Sequence, residues 1–114
     1  MAYKNAVLDD EELRRGFSSI NPKYADLVTR VAGEVWGLPH IDQKTKTLIA
    51  IAVDVVNQAH VGSGDPFAAH VKMAIKQGAT RDELEELLLF ISAYAGFNKA
   101  VASFGRLNEL LGPA

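Results

Sequence analysis

The stretch TRDELEELLLFISAYA, residues 80–95, indicates the fold class of this chain. Its Thr80 and Glu83 form a capping box, in which two side chains satisfy backbone N–H groups at the start of a helix. The apolar residues that follow recur at helical spacing and form two stripes. The first stripe is Leu84, Leu87, Leu88 and Ile91, and the second stripe is Leu89, Phe90, Ala93 and Phe97. A helix that is apolar on two sides is expected to be buried on both.

Further helix signals lie on both sides of this stretch. Asn21-Pro22 and Asp65-Pro66 each place a capping residue before a proline, which marks a helix start. Glycine and proline near residues 37–39, 78 and 112–113 mark helix ends. The pattern predicts a short helix near residues 9–18 and longer helices near residues 22–36, 42–57, 65–77, 80–95 and 98–111. We therefore expect an all-α fold of about six helices, with residues 1–114 forming one domain.

The apolar residues exceed what one small core can cover. A stripe in residues 22–36 predicts an amphipathic helix with one buried face, and its members are Tyr24, Leu27, Val28, Val31 and Val35. Residues 48–53 are apolar around the whole helix and are expected to be buried on all sides. A monomer of this size buries only about two-thirds of its unfolded surface. We therefore expect a homo-oligomer, with subunit contacts on the outer stripe of helix 80–95.

Composition and charge exclude several classes of function. The net charge is −2 and the basic residues are scattered among acids, so no basic stripe is available to nucleic acid. No apolar run approaches the roughly 20 residues of a membrane span, and no secretory signal is present, so we expect a cytoplasmic protein. The lack of cysteine removes disulfides and thiolate nucleophiles. We expect neither a metal nor a cofactor, because the histidines lack metal-ligand spacing and no phosphate-binding loop occurs.

His70 is the first candidate for chemistry. Phe67, His70, Val71 and Ala74 share one face of a predicted helix, so the imidazole lies on its apolar side. A titratable ring next to a core can act as an acid or a base near neutral pH. The alternative is a core histidine that is hydrogen-bonded to a carbonyl group.

Two carboxylates are further candidates. Glu34 borders the apolar stripe at the end of its helix, where burial would make it a proton carrier; the alternative is a solvated acid at a helix end. Asp54 is the one charged residue between Lys46 and His60. Pairing with a lysine, an arginine or a helix terminus would make Asp54 structural, and a position in a pocket would make it functional.

Three ordered blocks of sequence stand out. They are GEVWGLPHIDQKTKTLI at residues 33–49, FAAH and GATRDEL within residues 67–84, and YAGFNKA at residues 94–100. The first is similar to the GE(V/I)W segment and (L/I)DxxTRxL helix start of the carboxymuconolactone decarboxylase-like family. The second is similar to that family's histidine helix and GATREEL turn, and the third to its YAGxPxA motif, with Asn98 in place of proline.

The resemblance implies a fold and a site. It implies an alkylhydroperoxidase D-like helical fold that assembles as a homotrimer or homohexamer, with pockets at subunit interfaces. It carries over His70 as the family histidine and Glu34, from the GEVW segment, as its catalytic companion. Apolar walls around the substrate are expected from Trp36, Phe67, Tyr94 and Phe97. Arg30 or Arg106 could hold a substrate carboxylate through a bidentate contact.

Two departures from the family pattern bear on function. The peroxidases of this superfamily need a CxxC motif before the histidine, and Ser63 and Pro66 stand at its two positions, so a thiol peroxidase is disfavoured. The chain also carries about four extra residues at 60–64, in the loop that leads into the His70 helix, so the pocket mouth and the substrate are expected to differ.

The expected function is that of a cofactor-free decarboxylase resembling gamma-carboxymuconolactone decarboxylase. Its substrate would be a small unsaturated lactone acid or a related carboxylate, and His70, tuned by Glu34, would transfer the proton. The alternative is a non-catalytic oligomeric protein that uses the same pocket to bind a small ligand.

Overall fold

The computed structural model describes residues 2–59 and 64–113, which form six α-helices and no strand. The helices are α1 (Glu11–Ile20), α2 (Pro22–Trp36), α3 (Gln43–Asn57), α4 (Pro66–Lys76), α5 (Arg81–Ala95) and α6 (Phe97–Leu111). The predicted all-α fold is confirmed. Helix α1 begins two residues later than predicted, because Asp10 caps it by accepting a hydrogen bond from the Leu13 N–H group. Most of the predicted loop insertion, including His60 and Ser63, lies outside the described residues.

Side-chain caps start the helices where the sequence predicts them. The Asn21 side chain accepts hydrogen bonds from two backbone N–H groups of α2, and the Asp65 carboxylate accepts one from α4 at 3.0 Å. The Thr80 hydroxyl accepts from the Glu83 N–H group at 3.1 Å, while the Glu83 carboxylate accepts from the Thr80 N–H group at 2.9 Å. Each cap satisfies donors that the helix leaves unpaired, and contributes about 1 kcal/mol.

Helix α3 packs against α4, α5 and α6, and these four helices enclose the main core. Helices α5 and α6 form a hairpin, as do α1 and α2. The largest fully buried apolar side chains of the main core are Phe67, Ile51, Leu84, Leu88, Leu107, Val55 and Val71. Burying each of them contributes about 1.5–3 kcal/mol, so α3 and α4 are held side by side mainly by apolar contact.

The residues before α1 join the α1–α2 hairpin to the rest of the molecule. Leu8 packs over Gly33 of α2 so closely that a Cβ atom on Gly33 would lie 2.5 Å from the Leu8 side chain. Lys76, in the last turn of α4, forms ion pairs with Asp10 at 2.9 Å and with Glu12 at 3.2 Å. Burial would lower the pKa of Lys76, but the hydrogen bonds to the two carboxylates outweigh this effect and raise it.

Two faces that were predicted to be buried are exposed in the single chain. The stripe on α2 is about half-exposed, with Val31 at 55%, so burial of this stripe is wrong within one chain, where Ala25 and Gly33 are the buried residues of the helix. We define the α2 row as Tyr24, Leu27, Val31 and Val35. Residues 48–53 are not buried on all sides either, because Ile51 is buried while Ile49 and Val53 are exposed. We define the α3 row as Ile49, Val53 and Val56, which recur at helical spacing on one face.

The two stripes of α5 have different surroundings. The first stripe enters the main core, where Leu84 and Leu88 are each 1% exposed. The members of the second stripe on α5 include Phe90, which is 60% exposed. Phe97, the last residue predicted for this stripe, is 75% exposed but begins α6 instead of continuing α5. Burial on two sides is therefore wrong within one chain, and the second stripe is the outer one. Across the described residues, every helix is too short or too polar to span a membrane.

Candidate active site

A carboxylate and an imidazole meet between α3 and α4. The Asp54 Oδ2 atom lies 2.5 Å from the His70 Nδ1 atom, and the direct packing of the two helices brings them together. The Asp54 side chain is 8% exposed, whereas the His70 side chain is 27% exposed. The carboxylate is thus withdrawn from solvent, and the ring stays accessible from outside the chain.

The predicted position of His70 on the apolar face of its helix is confirmed. Its neighbours Phe67, Val71 and Ala74 are all buried. The carbonyl partner considered for His70 is wrong, and so is a lysine, arginine or helix-terminus partner for Asp54, since the two side chains bind each other. The isolation of Asp54 in an apolar helix is the signal for this contact, because a buried carboxylate needs a partner.

The contact fixes the hydrogen-bonding roles of the ring. An ionised carboxylate can only accept, so Nδ1 donates its proton to Asp54. No described residue is hydrogen-bonded to the Nε2 atom of His70. Nε2 is therefore the position at which a proton can pass to or from a bound molecule.

A buried ion pair holds the start of α4 one turn before His70. Asp65, whose side chain is fully buried, accepts from the Ala68 N–H group at 3.0 Å and from Arg106 Nη2 at 2.8 Å. Burial alone would raise the pKa of Asp65, but the hydrogen bonds from Arg106 and Ala68 prevail and hold it below its ordinary value. The bond to Asp65 in turn raises the pKa of Arg106. Helix α6 is thus tied to the helix that carries His70.

Backbone hydrogen bonds close the base of the segment between α3 and α4. The Ala59 N–H group donates to the Asp54 carbonyl at 2.8 Å, and the Phe67 N–H group donates to the Ala59 carbonyl at 2.9 Å. Gln58, at the end of α3, has the left-handed backbone conformation, with φ of 56°. These contacts hold the end of α3 close to the start of α4.

The two arginines predicted as anchors for a substrate carboxylate are engaged with protein carboxylates. Arg30 pairs with Asp26 at 3.1 Å on the exposed part of α2. Arg106 pairs with Asp65 at 2.8 Å and with Glu109 at 3.4 Å. Neither guanidinium group is a free anchor in this structure.

Glu34 and Trp36 lie near the end of α2, a helix that carries neither Asp54 nor His70. Glu34 is exposed, and no described residue forms a hydrogen bond or an ion pair with its carboxylate. Burial of Glu34, on which its predicted role depends, therefore does not occur within one chain. Trp36 is partly buried against a small cluster that contains Val7 and Met73.

The other predicted wall residues have contrasting positions. Phe67 is fully buried in the main core, one turn before His70. Tyr94 and Phe97 are 80% and 75% exposed, so within one chain they cannot form the walls of an enclosed pocket. The structure therefore brings only Phe67 close along the chain to His70, and leaves the two exposed rings on the outside.

An apolar groove of about 460 Å³ lies where α2 meets α3. Its lining residues are Val35, Trp36, Leu38, His40, Ile41, Lys46 and Ile49. The Lys46 ammonium donates to the carbonyl oxygens of Val35, Trp36 and Leu38 at 3.3, 2.7 and 2.8 Å, so its charge satisfies the C-terminal end of α2. His70 is not a lining residue, so the groove and the Asp54–His70 pair are separate features.

Polar residues of the sequence blocks have structural roles in the described part of the chain. Asp42 caps α3 through the Thr45 N–H group at 2.7 Å, a contact that lowers the pKa of Asp42. Arg81 binds Glu85 and the carbonyl group of Gly112, which fastens the end of α6 to the start of α5. Asp54 lies outside the blocks, and for that reason motif matching missed it.

No described group of three or more histidine, cysteine or acidic side chains could hold a metal ion.

Comparison with known proteins identifies the family of this chain. The chain is similar to the curated 4-carboxymuconolactone decarboxylase of Acinetobacter baylyi, with 30% identity over 114 residues that cover 96% of this chain and 82% of that relative. No solved structure matches the chain. The model of the carboxymuconolactone decarboxylase family matches residues 22–109, a range that includes both Asp54 and His70. The chain therefore belongs to the carboxymuconolactone decarboxylase family.

Proposed function

We propose that this protein is a cofactor-free carboxy-lyase that acts on a small unsaturated lactone acid such as 4-carboxymuconolactone. The observation that carries the proposal is the Asp54–His70 pair, with the buried carboxylate on Nδ1 and an accessible ring whose Nε2 has no described partner. Membership of the family and the similarity to a named decarboxylase support the reaction class. The proton transfer that such a reaction needs is within the capacity of this pair.

The proposed reaction breaks one C–C bond and forms one C–H bond. Carbon dioxide leaves without the electron pair of the broken bond, and this pair spreads over the unsaturated lactone as a delocalised carbanion. The imidazolium form of His70 then gives its Nε2 proton to carbon, and the neutral ring regains a proton from water. Asp54 keeps the imidazole oriented and balances its charge during this step.

Asp54 takes over the tuning role that the family resemblance implied for Glu34. Its carboxylate is bonded to the imidazole, whereas the Glu34 carboxylate is exposed in the single chain. Glu34 keeps a place in the proposal only at a pocket completed by a second copy. In that case Glu34→Gln would lower the turnover of the assembled protein. An unchanged decarboxylation rate would show that Glu34 has no role in the site.

The test is the decarboxylation of 4-carboxymuconolactone, followed as release of carbon dioxide by the wild-type protein and by His70→Gln. We expect the variant to keep its melting temperature and to lose about 10²–10⁴-fold in turnover, the usual contribution of general acid–base catalysis. His40→Gln is the matched control, because His40 lines the separate apolar groove, and its rate should equal that of the wild type.

Two results would contradict the proposal. A His70→Gln protein that melts earlier but turns over at full speed would make His70 a structural residue only. A wild-type protein that releases no carbon dioxide, yet melts at a higher temperature in the presence of the lactone, would instead support the non-catalytic ligand-binding function.

A further inference from the structure

The contact between Asp54 and His70 supplies a group that decarboxylation alone does not require. Loss of carbon dioxide leaves an electron pair on carbon, so the reaction calls for an acid that protonates the carbanion and for no base. The Asp54 carboxylate accepts the hydrogen bond, so the proton of the neutral imidazole lies on Nδ1, which is 2.5 Å from Oδ2. The lone pair of the neutral ring is therefore on Nε2, where it can take a proton from a bound molecule.

Nε2 is also the ring nitrogen that a bound molecule can reach. The His70 side chain is 27% exposed, whereas the Asp54 side chain is 8% exposed and is bonded to the other ring nitrogen. The nearest ion pair along α4 is already complete, because Asp65 binds Arg106 at 2.8 Å. One nitrogen atom can thus take a proton when the ring is neutral and give one when the ring is charged.

A second molecule leads to the same carbanion as the proposed decarboxylation. We define the descarboxy lactone as 4-carboxymuconolactone with a hydrogen atom in place of the carboxyl group that is lost. Removal of this hydrogen as a proton leaves the same electron pair on the same carbon as the loss of carbon dioxide. A site that stabilises this delocalised carbanion in one reaction therefore stabilises it in the other.

We propose that the protein has a second activity, the isomerisation of the descarboxy lactone by proton transfer through Nε2 of His70. The inference rests on the proposed function, because it uses the same site and the same carbanion. The neutral ring takes the proton as the C–H bond breaks, and the electron pair stays in the lactone, where the double bond shifts. Nε2 then returns a proton to a different carbon and a new C–H bond forms, so the atoms and electrons balance without a co-reactant.

The test is a proton NMR assay of the descarboxy lactone with the wild-type protein in deuterium oxide. We expect the double bond to change position and deuterium to enter at the new C–H bond, because the accessible ring exchanges its Nε2 proton with solvent. His70→Gln should slow the isomerisation by about 10²–10⁴-fold, the usual contribution of general acid–base catalysis. His40→Gln, a change in the separate apolar groove, is the matched control and should isomerise the lactone at the wild-type rate.

The pH dependence of the wild type is a second measure that needs no variant. Decarboxylation starts from the charged ring and isomerisation from the neutral ring, so with rising pH kcat/KM should fall for the first and rise for the second. The two profiles should share one midpoint, because the same ring titrates in the free protein. Among the described charged groups, Asp54 contacts this ring from α3, while Asp65 at the start of α4 and Arg106 of α6 bind each other.

The outcomes separate this inference from the proposed function. Release of carbon dioxide without isomerisation or deuterium exchange would overturn the inference and leave the proposed decarboxylation in place. Isomerisation without release of carbon dioxide would support the inference and overturn the decarboxylation, and a protein with neither activity would overturn both. Isomerisation by His70→Gln at the wild-type rate, or two pH profiles that run in the same direction, would show that another group carries the proton.

Discussion

At the scale of single residues, the carboxylate behind His70 is the most informative position to change. Asp54→Asn keeps a hydrogen-bonding side chain of the same size but removes the charge that balances the imidazolium form. We expect kcat for decarboxylation to fall by about 10²–10⁴ with little change in KM, because the lost interaction acts mainly in the transition state. Asp26→Asn, the same change in the exposed pair with Arg30, should leave both constants unchanged.

An Asp54→Asn protein with normal kcat would show that the charge of Asp54 does not serve catalysis. If Asp54→Asn does not fold, its kinetics say nothing about catalysis. The role of the pair is then tested by comparing the decarboxylation rates of the wild type and His70→Gln. The thermal midpoint, recorded with the kinetics, separates these two results.

Gly33 provides a second residue-scale prediction, on stability. A methyl group at this position would meet the end of the Leu8 side chain at 2.5 Å, and Leu8 is exposed enough to move aside. Gly33→Ala should therefore gain less stability than a helical glycine that is replaced in open space. Gly16→Ala is the matched control, because a Cβ atom added to Gly16 in α1 would have no neighbour within 4 Å and alanine favours a helix. The control should gain about 0.5–1 kcal/mol in urea unfolding. Equal effects of the two substitutions would contradict the close packing of Leu8.

At the scale of helices, the ion pair at the start of α4 predicts a pH-dependent stability. Asp65→Asn keeps a capping side chain but loses the charge that binds Arg106, so it should cost about 1–3 kcal/mol at neutral pH. The pKa of Asp65 is below its ordinary value in the folded state, so its stabilising effect is present above the unfolded pKa and is lost as the pH falls through the folded pKa.

The measurement is the difference in melting temperature between the wild type and Asp65→Asn from neutral to acidic pH. The difference should be largest at neutral pH and shrink in the acidic range. The exposed pair of Asp26 and Arg30 gives a comparison, since Asp26→Asn should change stability by less than about 1 kcal/mol throughout. If the difference in melting temperature between the wild type and Asp65→Asn stayed constant with pH, the helix cap and not the charge of Asp65 would account for the lost stability.

The positions of the helices were largely predictable from the sequence. Which helix faces are buried within one chain was not. Caps such as Asn21, Asp65 and Thr80 act on the next turn of the chain, so sequence order alone locates them. The faces of α2 and α3 were assigned to a core because an amphipathic pattern records that a face is apolar without recording which partner covers it. The contact between Asp54 and His70 was missed for a related reason, because it depends on how α3 and α4 pack across sixteen positions of sequence.

At the scale of the whole molecule, the exposed apolar surfaces predict that stability depends on protein concentration. If copies cover each other's α2 and α3 rows, assembly stabilises the folded state by mass action, and the melting temperature of the wild type rises with concentration. Val31→Glu should melt at a temperature that does not change with concentration. Differential scanning fluorimetry over a wide range of concentrations measures both, and a wild-type melting temperature that stays constant would argue against assembly.

The short hydrogen-bonded base between α3 and α4 has an evolutionary consequence. Because Phe67 binds Ala59 through the backbone, and Asp65 is fastened to α6, insertions between residues 59 and 65 need not move the helices that carry the Asp54–His70 pair. Each doubling of such a loop costs only about 0.6 kcal/mol in closure entropy. Lineages can therefore vary the length of this connection almost freely, and protein engineers can use it as a site for grafted segments while the contact between Asp54 and His70 is retained.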